Sequence, residues 1–374
     1  MLWKLTRSEM IKQLKGKTFW VFCIAIILFY VTQYYPEGSP SAIYPTKGQE
    51  YYGWTTEVSE IEEMVQNYRI LKSEIRDGQT TKFALLSRYV DIDGSTAEII
   101  LEELLEMVPS GKIDNPKVDI AVSYETYEEI MRDVDSLLGG DTRYGDKFRS
   151  GGRSITYDEA YQRFLNLGKE DQFTRASARL YGDYMGLTAA IFPAFLMVIT
   201  LIVRNKEILA EQVTTGQTNT NTFLLSKILA TSILSVVSYM FLALHASMDF
   251  ILFASKGDYS IDYFAFFQIL FLWILPTILY SITLSMLTII ISGKTWIGIL
   301  TPLLHSYLTL GPLSGDYGFH KNVIRFNLLG SSQVYQAVKS AILLNRLFYM
   351  GLSGILFAIS LYVLKNKRQS VTLQ

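Results

Sequence analysis

Two Gly-Lys-Thr triplets, Gly16-Lys17-Thr18 and Gly293-Lys294-Thr295, are the residues of this 374-residue chain whose types could bind phosphate. A phosphate-binding loop also needs a glycine five residues before the Gly-Lys pair, so that bare backbone amides can wrap the phosphate. Those positions are held by Ile11 and Thr288, and neither triplet lies between a buried strand and a soluble helix. We therefore expect both lysines to lie at a membrane interface. The chain is predicted to have no ATPase and no cofactor of its own.

No catalytic or metal-binding constellation is apparent elsewhere in the sequence. The three histidines, His245, His305 and His320, are scattered and lack metal-ligand spacing. The sequence has no Gly-x-Ser-x-Gly elbow, and no nucleophile can be matched with a base. Adjacent acidic residues such as Glu62 and Glu63 point to different faces of a helix, which is typical of a solvated surface rather than a cation site. The sequence thus favours a protein that is not an enzyme.

Three ionisable residues lie within apolar runs, where charge is costly and often functional. His245 and Asp249 are four residues apart and can share one helix face, and Arg346 lies near the start of another apolar run. One hypothesis is that the three line a polar translocation path or pair with each other. The alternative is that all three snorkel to the outer membrane interface.

Long apolar runs must position these groups, since 49% of the residues are hydrophobic. A bilayer core is roughly 30 Å thick and needs about 20 apolar residues per helix, because lipid cannot satisfy backbone polar groups. We therefore predict a mainly α-helical, polytopic membrane protein with about six transmembrane helices. The predicted spans are residues 19–35, then 184–203, 223–253, 264–291, 295–313 and 341–364 within a membrane domain of 183–364.

No small-x-small cleavage site follows the first run, so we expect a retained anchor rather than a signal peptide. The single cysteine, Cys23, lies in this run, so no internal disulfide is possible.

Charge predicts the orientation of these spans. Six spans place on one side Lys4, Arg7, Lys12, Lys15, Lys17, Arg204, Lys206, Lys227, Lys294, Lys365, Lys367 and Arg368, against Glu9, Glu207 and Glu211. Such an excess of Lys and Arg near helix ends marks the cytoplasmic side. Both termini, residues 1–18 and 365–374, are therefore expected in the cytoplasm. The membrane is expected to be a bacterial plasma membrane.

Residues 36–182 would then form an extracytoplasmic α+β domain. They carry 17 basic and 27 acidic side chains, a net charge of -10, so adhesion to anionic lipid is not expected. Helices are predicted at 57–77, 96–107, 123–138 and 157–166, with starts at Ser95 or Thr96 and at Ser123. Phe83–Val90 and Lys117–Ser123 are predicted strands, and 139–152 a mobile glycine-rich loop.

The segment 204–227, RNKEILAEQVTTGQTNTNTFLLSK, is the longest predicted cytoplasmic loop. Its residues 207–213 interleave apolar and acidic positions as a short helix would, and this pattern breaks before Gly216. A short helix joined stiffly to two spanning helices can pass a push from a cytosolic partner into the bilayer. The alternative is a plain surface loop with an interfacial helix.

On this loop and this topology, the chain resembles permease subunits of the ABC type-2 exporter family. The family has a Glu-rich, Gly-containing coupling helix between its second and third spans and a lysine that opens the third. Matching positions here are Glu207, Glu211, Gln212, Gly216 and Lys227. Residues 2–17 resemble the family's amphipathic interface helix, in which Trp3, Met10, Ile11 and Leu14 are apolar among five basic residues. The stretch 314–340 resembles its short re-entrant helices.

The resemblance implies a mechanism. Two permease chains, identical or paired with a sister subunit, would form the pathway, and cytosolic ABC ATPase subunits carrying ATP and Mg would dock on the coupling and N-terminal helices. An amphipathic cargo, such as a peptide antibiotic, a lipid-linked molecule or a drug, would be exported. An extracytoplasmic partner could bind the external domain, and no nucleic acid is expected.

Other readings stay open at this point. A mechanotransmission ABC permease also has a domain after its first span, but its simple form has four spans. A membrane-embedded transferase would need clustered catalytic groups, for which His305, Asp316 and His320 are the thin candidates. A receptor or sensor would normally need a larger cytoplasmic output domain.

Overall fold

The computed structural model describes residues 1–55, 58–83, 87–146, 149, 153–202, 220–308 and 332–372. Over these ranges the chain is mainly helical and has two small two-stranded sheets, which confirms the predicted fold class at that level. The chain divides into two compact units. Residues Pro45–Ala160 form one, which we call the inserted unit, and Met1–Tyr44 with Tyr161–Gln374 form the other, which we call the bundle unit.

The helices follow each other along the described chain as labelled here. They are α1 (Leu2–Lys15), α2 (Lys17–Phe29), α3 (Tyr35–Gly38), α4 (Pro40–Ile43), α5 (Glu60–Asp77), α6 (Gly94–Met107), α7 (Pro116–Asp119), α8 (Tyr124–Leu137), α9 (Tyr157–Asn166), α10 (Phe173–Ile202), α11 (Thr220–Lys256), α12 (Ala265–Ile269), α13 (Leu275–Ser292), α14 (Thr295–Leu308) and α15 (Ser332–Thr372). Three short π-helical segments, Tyr30–Tyr34, Leu167–Asp171 and Leu270–Ile274, join α2 to α3, α9 to α10 and α12 to α13.

Five helical stretches of the bundle unit are long and apolar enough to cross a membrane. They are Lys17–Ile43, Phe173–Leu201, Asn221–Lys256, Ala265–Ser292 and Tyr335–Asn366, and each contains most of one predicted span. The remaining predicted span, 295–313, corresponds to α14, whose 14 described residues extend about 21 Å at 1.5 Å per residue. Residues 309–313 lie outside the described ranges, so the number of six spans stays a prediction.

The central helix of the bundle starts earlier than predicted. α10 begins at Phe173 rather than at 184, and residues 161–182 belong to the bundle unit, whereas the predicted external domain continued to 182. Charged residues hide this start in the sequence. Arg179 is buried, however, and its Nη1 donates to Asp171 Oδ1 at 2.9 Å in a two-pronged ion pair. A paired charge can therefore lie in the first turns of a packed helix.

The two Gly-Lys-Thr triplets are helix junctions. Gly16 has an extended backbone (ψ 137°) and separates α1 from α2, and Gly293 ends α13 with φ 69°, a left-handed conformation that favours glycine. Helices precede both triplets, so neither has the strand-loop-helix geometry of a phosphate-binding loop.

The inserted unit has its own hydrophobic core, built mainly by α5, α6 and α8. α5 buries Met64, Tyr68 and Leu71, and α8 buries Tyr127 and Val134, at the three- and four-residue spacing of one helix face. The predicted helices are confirmed, and so is the start of α8 at Ser123, whose side chain accepts a hydrogen bond from the amide of Thr126. α5 also has a capping box, formed by Ser59 and Glu62, which was not among the predicted helix starts.

Three details of the predicted external domain are wrong. α6 is capped by Asp93, rather than Ser95 or Thr96, because a carboxylate accepts from the amide of Thr96 at 2.9 Å. The predicted strand at 83–90 is instead parts of two antiparallel strands, β2 (Gln79–Phe83) and β3 (Ser87–Asp91), of one hairpin. The predicted strand at 117–123 begins with the helical turn α7, which Pro116 starts and the side chain of Asn115 caps.

The predicted glycine-rich loop contains buried residues within its described part, 139–146. Tyr144 is fully buried, and its hydroxyl donates to Glu74 Oε2 at 2.7 Å. The neighbouring Thr142 is also buried and bonds to Asp135. The remaining two strands, β1 (Trp54–Thr55) and β4 (Arg153–Ser154), pair antiparallel on either side of this region of the chain. Gly139 and Gly140, with φ of 79° and 76°, permit the tight turns at the start of this segment.

A polar group in the core of the inserted unit gives a stability prediction. The hydroxyl of Tyr127 accepts from Asn67 Nδ2 at 2.7 Å and donates to Glu63 Oε1 at 3.3 Å. Tyr127→Phe would leave buried polar groups short of a partner, and we expect a loss of about 1–3 kcal/mol in unfolding free energy. Hydrogen exchange of peptides from α5 and α8 in the purified chain measures this. Tyr89→Phe, at a ring that is 79% exposed, is the matched control and should change nothing.

Candidate functional site

A fully buried lysine joins three helices of the bundle unit. Lys227 lies near the start of α11, and its Nζ is 3.4 Å from Glu9 Oε2 of α1. The same nitrogen donates to the backbone carbonyl of Thr200, near the end of α10, at 3.0 Å. It also lies 4.9 Å from the centre of the Phe223 ring. One ammonium group thus connects the N-terminal helix to the ends of the two helices that flank residues 203–219. We call this contact the Lys227 junction.

The inward face of α1 explains how Glu9 reaches this lysine. Thr6 and Glu9 are buried, and Gln13 donates from Nε2 to Thr231 Oγ1 of α11 at 3.0 Å. These positions recur every three or four residues, so they form one stripe of the helix. The large apolar residues Trp3, Ile11 and Leu14 are exposed. The helix is therefore amphipathic with its polar stripe against the protein and its apolar residues outside, as a lipid-facing interface helix requires.

Most of the predicted coupling residues cannot be placed. Glu207, Glu211, Gln212 and Gly216 lie outside the described residues. Lys227 is described, and the structure puts it inside the bundle rather than on a surface that a partner could touch. Any role of Lys227 in coupling would therefore be indirect, through the helices that it joins.

Two of the three predicted intramembrane residues lie together. His245 Nδ1 is 3.8 Å from Asp249 Oδ2 and 2.9 Å from the hydroxyl of Tyr30, which lies in the first apolar stretch. The side chains of His245 and Asp249 are 57% and 31% exposed. Asp249 Oδ2 itself has no hydrogen bond within the described part of the chain. The pair thus lies at the edge of the bundle, where the ring of Tyr35 also packs against the histidine.

The third predicted residue, Arg346, lies elsewhere and is only 3% exposed. Its guanidinium carbon is 4.0 Å from the centre of the Trp273 ring, and its Nη1 donates to Thr277 Oγ1 at 3.0 Å. Asn345 accepts from its Nε at 3.0 Å. Between the described side chains of Arg346 and Asp249 there is no ion pair. Arg346 is therefore buried inside the bundle, where an aromatic face and neutral oxygen atoms are among its contacts.

Tyrosine hydroxyls, which were not among the predicted site residues, supply further polar groups inside the bundle. Tyr181 donates to the backbone carbonyl of Tyr239 at 2.6 Å, and the Tyr239 hydroxyl bonds to Thr188 at 3.0 Å. Tyr34 is buried edge-on against Tyr181, and Tyr184 bonds to Glu37. The frequency of tyrosine, 24 residues, was the available signal. Spacing alone does not show which tyrosine rings meet across different helices.

Glu9 is a further residue of the site that the sequence alone does not reveal. By charge it is only an acidic exception among the basic residues of the N-terminal segment. Its position between Thr6 and Gln13 on one helix face was a usable signal, because a polar stripe beside an apolar one indicates two different environments. Its partner, more than two hundred positions away, could not be read from the sequence.

The described residues contain no candidate metal centre. No three of their His, Cys, Asp and Glu side chains are grouped so that they could hold a metal ion. His305 packs 5.2 Å from the ring of Tyr280, and the other thin candidates, Asp316 and His320, lie outside the described ranges.

No family model, curated protein or solved structure matches this chain.

The Lys227 junction predicts a measurable coupling between distant residues. Glu9→Gln removes a carboxylate from a fully buried ammonium group, and we expect a loss of about 3–5 kcal/mol. In the double variant with Lys227→Met the losses should fall short of their sum by about 1–3 kcal/mol, since the two groups contact each other. Unfolding of the purified chain in mixed micelles measures this. Lys15→Met on the exposed side of α1 is the control, and additive losses for Glu9 and Lys227 would contradict the pairing.

The environment of Arg346 predicts that lysine cannot replace it. Arg346→Lys loses the planar stacking on Trp273 and the fork of donors, so we expect about 2 kcal/mol less stability than the parent chain. Arg175→Lys is the matched control, because Arg175 is 55% exposed and holds Asp262 in a surface ion pair worth about 0–1 kcal/mol. Thermal unfolding in detergent compares Arg346→Lys with Arg175→Lys. Equal decreases in unfolding temperature would rule out a special role for the stacked guanidinium.

Proposed function

We propose that this chain is the transmembrane permease subunit of an ATP-binding-cassette exporter. It would supply the pathway through the membrane, and a separate cytosolic ATPase would supply the energy. The proposal includes six spans, with both termini in the cytoplasm of a bacterial cell and residues 45–160 outside. Five apolar helices of spanning length are consistent with this plan.

The observation that carries the proposal is the Lys227 junction. The loop proposed to receive force, residues 204–227, follows α10, which ends at Ile202. Its last residues, from Thr220 onward, form the start of α11. Lys227 contacts the carbonyl of Thr200 on one side of this loop and belongs to α11 on the other side. A displacement of the loop therefore acts on two spanning helices that are already fastened together and to α1. Buried paired charges transmit such a displacement because their separation is costly.

The proposed cycle follows from this connection. ATP and Mg would bind the partner ATPase, which would dock on the loop around Glu207, Glu211, Gln212 and Gly216 and on α1. Closure of two ATPase subunits would push both loops of a permease dimer, formed from two copies or from this chain and a sister subunit. The α10–α11 pair would then tilt and switch the pathway between inward-open and outward-open states.

The cargo is proposed to be amphipathic, such as a peptide antibiotic, a lipid-linked molecule or a drug. Polar groups on apolar helices fit that class, since His245 and Asp249 are partly exposed on α11 beside large exposed apolar residues such as Met248 and Leu252. A path that passes these residues would offer both kinds of surface. The inserted unit is proposed to select cargo or to recruit an outside partner.

Affinity purification of the full chain in mild detergent tests the proposal. We expect an ATPase to co-purify, and Glu207→Lys or Gly216→Pro to reduce its yield at least about fivefold, since both change the proposed docking loop. Glu98→Lys, at an exposed position of the inserted unit, is the matched control and should retain the ATPase. Full retention of the ATPase and of ATP-driven transport in both loop variants would show that this loop does not couple the chain to an ATPase.

The sidedness of the loop is a second arm of the same test. Cys23 is the single cysteine, so Cys23→Ser provides a background without thiols. In intact cells Gln212→Cys should resist a membrane-impermeant thiol reagent, whereas Ser95→Cys in the inserted unit should react. Labelling of position 212 from outside would contradict the proposal, and so would ATP hydrolysis by the purified chain alone.

A further inference from the structure

A cavity of about 380 Å³ opens between α1 and the spanning helices beside the Lys227 junction. This volume is within the range of about 300–1,000 Å³ that is usual for small-molecule sites. Its walls are formed by the last turns of α1, the start of α2 and the end of α10. The residues that matter for its chemistry are Lys12, Gln13, Gly16, Phe19, Leu196 and Ile199.

The cavity has a polar end and an apolar end. At the polar end, Lys12 and Lys227 both contact the one carboxylate of Glu9, each at 3.4 Å, so these lining side chains carry two positive charges and one negative. Lys12 is the accessible cation, with a side chain that is 54% exposed. Gln13 also has a buried amide oxygen, Oε1, without a hydrogen-bond donor in the described ranges. Phe19, Leu196 and Ile199 form the apolar wall.

We propose that this cavity binds one anionic phospholipid molecule. Lys12 would contact the phosphate, and a headgroup hydroxyl would supply the donor that Gln13 lacks. The upper part of an acyl chain would lie along Phe19 and Ile199. The lipid would then be a fourth element of the junction, holding α1 against α10 and α11.

Three features support a lipid rather than a soluble anion. The cavity adjoins the turn at Gly16, where an amphipathic helix with exposed apolar residues meets an apolar helix of spanning length. In a membrane, such a turn would place the cavity at the depth of lipid headgroups. Its apolar wall would gain nothing from inorganic phosphate. Among the described lining residues, the excess of one positive charge matches the single charge of a phosphodiester. The inference goes beyond the proposed exporter function and does not depend on an ATPase.

The test uses the purified full chain in nanodiscs of phosphatidylcholine with a graded fraction of phosphatidylglycerol. Native mass spectrometry counts the retained phosphatidylglycerol, and its fluorescent analogue gives the affinity. Lys12→Glu should weaken binding by at least about fivefold, which corresponds to about 1 kcal/mol per lysine at a membrane surface. Lys15→Glu makes the same charge change on α1 without lining the cavity, and it should change binding less than twofold.

A second pair of variants tests the apolar end. Ile199→Trp adds a bulky side chain inside the cavity and should abolish retention of the lipid. Phe195→Trp lies one turn earlier on the same helix at a ring that is 36% exposed, and it should retain the lipid. Near-normal unfolding temperatures in both variants show that they are folded. If Ile199→Trp does not fold, the Lys12 and Lys15 pair decides alone.

Several outcomes would overturn the proposal. Equal losses for Lys12→Glu and Lys15→Glu would mean diffuse adsorption to the basic helix. Equal retention of phosphatidylcholine and phosphatidylglycerol would show that headgroup charge does not select the lipid. Competition by inorganic phosphate at millimolar concentration would show that the acyl chain does not contribute to binding. Because the readout is lipid binding, failure of the exporter proposal leaves this result unaffected.

Discussion

The burial of Lys227 is the constraint on which the packing of α1, α10 and α11 depends. An ammonium group that has no contact with solvent needs a counter-charge and hydrogen-bond acceptors. Glu9 and the carbonyl of Thr200 supply both, and they come from two other segments of the chain. The lysine therefore stabilises this arrangement of α1, α10 and α11, because moving the helices apart would leave its ammonium group buried without Glu9 and the Thr200 carbonyl. In the proposed exporter, the same requirement would make the three helices respond together.

Membrane-like surroundings also account for the unusual distribution of polar groups in the bundle. Water is absent from a bilayer core, so polar side chains gain more by facing inward, where other helices supply partners. The Tyr181 hydroxyl finds a backbone carbonyl on α11, and Arg346 finds an indole face and a threonine. Large apolar residues such as Trp20, Leu344 and Ile355 remain exposed, where lipid or another chain would cover them. The N-terminal helix follows the same rule with its polar stripe inward.

The inserted unit follows the rules of a soluble domain. Its helices place apolar residues inside at three- and four-residue spacing. Side chains at the N-cap positions accept hydrogen bonds from backbone amides in the first turn of these helices. Polar groups within its core form hydrogen-bonded pairs. Tyr144 and Glu74 are one example, and the pKa of the Tyr144 hydroxyl is raised by burial and by the neighbouring carboxylate. The inserted unit thus buries its apolar side chains as a domain in water does, whereas the bundle unit exposes apolar side chains as a protein in lipid does. The two units also differ in sequence, because charged residues are concentrated in the inserted unit.

The sequence by itself determined the helices. Runs of about 20 apolar residues and the helical periodicity of residues 57–77 or 123–138 depend on local composition, and the structure has helices at each of those places. Local signals failed where a distant partner decides the conformation. Arg175 and Arg179 hid the first turns of α10, because only the ion pair with Asp171 makes Arg179 compatible with burial. The segment 117–123 was assigned by β-propensity, but the proline and the cap at Asn115 begin a helical turn there.

The site was decided by tertiary structure. The residue types at positions 9, 227, 245, 249 and 346 can be read from the sequence, and the four-residue spacing of His245 and Asp249 was enough to place them together. Whether Arg346 would join them, snorkel or lie on Trp273 depended on how α15 packs against α13 and the π-helical segment Leu270–Ile274 before it. The pairing of Glu9 with Lys227 likewise depends on the packing of α1 on α11. Composition and periodicity report the environment that each segment needs, whereas the partner of a buried charge is set by which segments the chain brings together in space.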